Sequence, residues 1–100
     1  MVWGRARTRE EQVATFADWL DNTTSDNRLL PVSEILVILL SAPDCGGIGL
    51  RLRQLITDIP RDRAVTPMTL CAILDQLDRE LASERFLKSA DDIKKRFREQ

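Results

Sequence analysis

Apolar residues recur along this chain at helical spacing, and polar clusters cut the recurrence into helix-sized segments. Val13, Phe16, Ala17 and Leu20 stand at i, i+3, i+4 and i+7, the stripe that a helix turns toward a core. Thr8 and Glu11 form a capping-box pair ahead of that stripe, so a first helix is predicted from Arg9 to Leu20. The run Asp21-Asn22-Thr23-Thr24-Ser25-Asp26-Asn27 is dense in short polar side chains that bond to nearby backbone in competition with helix. It reads as a loop.

Pro31 suits the first turn of a second helix, and the residues from Ser33 to Leu40 are apolar on every side after Glu34. Such a segment is expected at the centre of the core, surrounded by the other helices. Ile35, Val37 and Ile38 also suit a buried strand; helix is preferred because no second strand-like run exists to pair with it. Three of the four glycines fall within Pro43 to Gly49, where the chain is expected to reverse. Leu52, Leu55, Ile56 and Ile59 then restore the helical stripe until Pro60 ends it. Thr66 and Pro67 pair a cap with a first-turn proline, opening a long helix with Leu70, Ile73, Leu74, Leu77 and Leu81 on one side. Ser89 and Asp92 resemble a further capping box, predicting a short last helix with Ile93 and Phe97 as an i, i+4 pair. The expected fold is all-α, a compact orthogonal bundle of five helices, in a single domain over 1–100 with fraying at 1–7 and 98–100.

Composition narrows the chemistry. With 100 residues, 43% of them hydrophobic, the chain is long and apolar enough to bury a core of its own. Lys and Arg number 15 against 16 Asp and Glu, so the net charge of −1 draws the molecule to neither nucleic acid nor an anionic membrane, and such binding needs a local patch. There is no histidine, and the only cysteines are Cys45 and Cys71. A zinc site is therefore not expected, and a reducing compartment is. Met1 to Arg9 are basic but run into Glu10 and Glu11 instead of an apolar segment, so no secretory signal is expected. The longest apolar run, Ile35 to Leu40, has six residues and is too short to span a bilayer. A cytoplasmic protein without membrane partners or cofactors is the resulting expectation.

Without histidine the usual general base is missing, and triad catalysis is excluded. The carboxylate pairs Asp75 with Asp78 and Asp91 with Asp92 lie beside Arg79, Lys94 and Lys95, where solvated ion pairing accounts for them. Cys71, in an apolar helical segment, reads as a small hydrophobe, while Cys45 in the glycine loop is the better candidate for a reactive thiol. No enzymatic activity is expected.

The glycine loop lacks the Gly-Lys-Ser/Thr of a nucleotide P-loop. Leu40-Ser41-Ala42-Pro43, followed by Gly47-Ile48-Gly49 and Leu50 to Ile56, instead resembles the helix-hairpin-helix motif over about a quarter of the chain. The resemblance implies a Gly-hydrophobic-Gly turn that presents backbone N–H groups to a nucleic-acid phosphate, a task for which a helix N-terminus is electrostatically suited. More loosely, Val32-Ser33 before the hairpin and Ile73 to Leu81 after it resemble the order of elements in actinobacterial integration host factors. The chain departs from these families in placing Arg53 where a small residue is usual, in the extra loop residues Asp44-Cys45-Gly46, and in its near-neutral charge.

On this reading Gly47, Gly49, Arg51, Arg53, Arg61 and Arg63 are the nucleic-acid-binding candidates, and a patch would form if the arginines met Arg5, Arg7 and Arg9 in space. The Lys94-Lys95-Arg96-Arg98 run reads as a solvated face. Trp3, Trp19, Leu29 and Leu30 are the protein-binding candidates, with self-association through Trp19, Leu29 and Leu30 among the uses. The leading expectation is a small regulatory or adaptor protein whose partner is another protein; the alternative is a nucleic-acid-binding module.

Overall fold

The computed structural model describes residues 8–98, which form five helices and no strand. They are α1 (Arg9–Asp26), α2 (Val32–Leu39), α3 (Ile48–Thr57), α4 (Pro67–Leu81) and α5 (Glu84–Arg98). All five contribute to one core, built around Phe16 and Leu20 of α1, Ile35 and Leu39 of α2, Leu52 of α3, Leu74 and Leu77 of α4, and Phe86, Ile93 and Phe97 of α5. The all-α bundle expected from the apolar stripes is therefore the fold, and Ile35 to Leu39 are helical.

Helix α1 begins as its cap predicts, with the Thr8 hydroxyl accepting from the Glu11 N–H at 3.1 Å. It does not stop at Leu20. Residues Asp21 to Asp26, expected as a loop, continue the helix, and α5 supplies partners for two of them, Asp21 and Thr24. Thr24 is fully buried, donates to the Leu20 carbonyl at 2.8 Å and accepts from Arg96 at 3.1 Å. The Asp21 carboxylate accepts from the Ser89 hydroxyl at 2.9 Å, and Arg85 reaches Asp18, Asp21 and Ser89. Asn27 ends the helix by donating from both its backbone and side-chain nitrogens to the Thr23 carbonyl.

Ser89 accordingly does not cap a short last helix. Helix α5 starts at Glu84, where the Ser83 hydroxyl accepts from the Phe86 N–H, and Ser89 sits buried in mid-helix against α1. Helix α2 is also corrected: it is one-sided rather than encircled. Val32, Ile35, Leu36 and Leu39 are buried, whereas Val37 on the opposite side is 65% exposed. Helix α3 ends at Thr57, before Ile59. Helix α4 opens as expected, with Pro67 in its first turn and the Thr66 N–H donating to the Thr69 hydroxyl at 3.1 Å. Lys94 and Arg96 do not belong to a solvated face, since Lys94 is held by Asp75 and Asp91 and Arg96 by Thr24.

Candidate functional site

The turn between α2 and α3 is built from three consecutive left-handed residues, Cys45, Gly46 and Gly47, a conformation that reverses the chain in little space. Gly49 lies in the first turn of α3, where a β-carbon would stand 2.2 Å from the Pro43 carbonyl oxygen. Close packing of two backbones thus explains this glycine without a ligand. Gly49→Ala should cost about 1–3 kcal/mol, because the obstructing atoms are main chain and cannot swing aside. Urea unfolding measures this, and an unchanged midpoint would show slack in the hairpin.

Two donors of this turn are engaged from within. The Gly47 N–H donates to both the carbonyl and the carboxylate of Asp44 at 3.1 Å, and the Gly49 N–H donates to the Asp44 carbonyl at 2.8 Å. A carboxylate of the chain therefore already engages the Gly47 N–H, a donor that a phosphate would use. Arg53 donates to the Ala42 carbonyl at 2.8 Å and lies 4.0 Å from Asp44. Arg51 forms a two-pronged pair with Glu80 of α4 at 2.7 and 2.8 Å. The pair is the strong, charge-assisted kind, and it cancels the charge that Arg51 would offer a ligand.

Arg51, followed by Gln76, holds the Glu80 carboxyl down to about 2 from its ordinary 4.5. An acid whose value is lowered on folding stabilises the fold above its unfolded value and loses that contribution as pH falls through the folded one. The Arg51–Glu80 contribution is therefore complete above about pH 4.5 and vanishes toward pH 2. Glu80→Gln should flatten the dependence of stability on pH across that window, with a modest effect at neutral pH because the side chains are 39% and 32% exposed. Thermal melts between pH 2 and 7 are the measurement; parallel curves for the two proteins would refute the role of the pair.

Of the N-terminal arginines, Arg9 does reach the hairpin, donating to the Gly46 carbonyl at 3.5 Å and sharing a small hollow with Arg51 and Glu80. Arg5 and Arg7 lie outside the described residues. Arg61 and Arg63 are at the far end of α3, about 15 Å of helix away. The expected patch is thus divided. Among the described residues neither Arg61 nor Arg63 has a side-chain hydrogen bond or ion pair, unlike Arg51 and Arg53.

Both of these arginines border an apolar groove between α2 and the end of α3, floored by Leu36, Leu40, Ile56 and Ile59 and edged by Val37. Past Ile59, Pro60 and Arg63 the groove continues into a wider one of about 560 Å³ against α4, lined by Leu55, Met68, Ala72 and Ile73. Val37 and Met68 are 65% and 70% exposed, so large apolar side chains stand in water on both lobes. Sequence reasoning missed this surface by assigning Val37 to an encircled helix. The available signal was Ser33, Val37 and Leu40 at i, i+4 and i+7, a second stripe opposite Val32, Ile35 and Leu39.

Trp19 is half-buried, with its ring 5.9 Å from that of Phe16, and it packs with Leu30 against the core. Leu29 is 90% exposed in the α1–α2 connection, and Trp3 lies outside the described residues. Cys71 is buried, and Cys45 is half-buried against the core. Among the described residues no group of three His, Cys, Asp or Glu is placed to hold a metal ion. No described helix is long and apolar enough to cross a membrane. Comparison with protein-family models, curated proteins and solved structures finds no match.

Proposed function

We propose that the chain is a non-enzymatic adaptor that binds another protein through the apolar groove of α2, α3 and α4. The observation that carries this reading is the contrast among its arginines. Arg51 and Arg53, beside the hairpin, are satisfied by Glu80, Ala42 and Asp44, whereas Arg61 and Arg63, at the rim of an exposed apolar surface, have no partner among the described residues. Contiguous exposed apolar area bordered by polar groups is the usual mark of a protein contact, and arginine is enriched in such contacts. A photoreactive side chain placed at Val37 or Met68 should give discrete protein adducts in the producing cells, and one placed at Lys95 on α5 should not. Equal labelling from all three positions would overturn the reading.

One observation favours a second reading, binding of nucleic acid at the hairpin: Arg9 and Arg51 meet beside Gly46 and Gly47. Phosphate would have to displace the Asp44 carboxylate from Gly47 and draw Arg51 from Glu80. Labelled duplex and single-stranded DNA should therefore fail to bind micromolar protein even at low salt. Salt-sensitive binding that the Arg51→Ala, Arg53→Ala double substitution weakens and flattens would favour the hairpin instead.

A further inference from the structure

Resting on the reading of the groove as a protein contact, we infer that its occupant is an amphipathic helix carrying Asp or Glu along one flank. The groove lies between two helices, with the exposed Val37 of α2 and Leu40 just past it on one side, and Ile56 of α3 and Ile59 just past it, both half-buried against the core, on the other. A surface of this form accepts the apolar ridge of a third helix, with anchors at i, i+4 and i+7. An enclosed small molecule fits it poorly, because the exposed apolar groups extend across three helices to Met68.

Charge selects the occupant further. The charged residues lining the α2–α3 lobe are Arg61 and Arg63, both unpaired among the described residues; Asp62, which stands between them in the sequence, does not line it. Asp58 lies on the other lobe, which Arg63 also borders, with Thr66, Thr69 and Gln76. A helix seated on Val37 and Ile59 therefore presents one flank to two guanidinium forks, whose planar donors match a carboxylate. Lysine on that flank would meet like charge at the edge of a desolvated contact, which is costly.

The probe is a displayed library of 16-residue helical peptides with one face and its flanks randomised, selected against the folded chain. Recovered peptides should share an apolar i, i+4, i+7 stripe bordered by Asp or Glu. A synthetic representative should lose at least about tenfold in affinity against Val37→Asp, whose far-UV circular dichroism remains that of the parent. It should lose as much against the Arg61→Glu, Arg63→Glu double variant, and replacing its acidic flank by Lys should restore binding to that variant alone. Peptides with neutral or basic flanks that still depend on Val37 would overturn the acidic occupant and leave the groove as the contact. Binding unaffected by Val37→Asp, or recovery of no peptide, would overturn the groove and the adaptor reading together. Self-association of the chain that Val37→Asp abolishes would make a second copy the occupant and overturn the acidic helix.

Discussion

Phe16→Ala should remove about 3–5 kcal/mol of stability, the range for deleting a buried aromatic side chain. Phe16 is fully buried where α1 meets α5, with its ring 6.3 Å from Phe86 and 5.9 Å from Trp19. The substitution empties a ring-sized volume, and it also breaks aromatic contacts worth about 0.5–1.5 kcal/mol beyond the area they bury. Neighbours have little room to collapse, since Leu20 and Phe86 are themselves inaccessible to solvent. For a domain of this size the melting temperature should fall by more than about 10 °C, and Phe16→Leu, which fills most of the space, should lose much less. A loss below about 1 kcal/mol for Phe16→Ala would mean that α1 and α5 do not share this core.

The apolar stripes made the helices legible because core packing repeats every turn, and Phe16, Leu74 and Phe97 all stand where periodicity puts them. The errors arose at polar residues. Asp21 to Asp26 look like a loop when only local competition is considered, yet Thr24 continues the stripe one turn past Leu20. Its hydroxyl is satisfied by the Leu20 carbonyl and Arg96, and the latter is 72 residues away, beyond the reach of any local rule. Ser89 misled in the same way: three residues before Asp92 it has the form of a cap, while its actual partner is Asp21 across the helix interface.

The hairpin illustrates a different limit. Gly47 and Gly49 were legible as turn residues, and the positive φ of Gly47 and the crowding at Gly49 give the reason each is glycine. What the sequence could not convey was the fate of the neighbouring charges. Arg51 finds Glu80 from 29 residues away, whereas Arg61 and Arg63, similar in local composition, find no partner among the described residues. Pairing is a property of the folded arrangement, and in this chain it separates an occupied turn from an open groove.

A pair of substitutions two residues apart should expose the two-sidedness of α2. Leu39→Ala should cost about 2–5 kcal/mol, because Leu39 is inaccessible to solvent and its removal leaves a cavity among Ile35, Leu52 and their neighbours. Val37→Ala, at 65% exposure, should change stability by about half a kcal/mol or less. The stripe and the groove face opposite ways, so the two variants should also separate stability from binding: Val37→Ala weakens the groove's ligand at nearly full stability. Leu39→Ala should leave affinity largely intact for whatever fraction remains folded. Chemical denaturation of both variants is the measurement, and equal losses at 37 and 39 would restore α2 to an encircled position and close the groove as a contact surface.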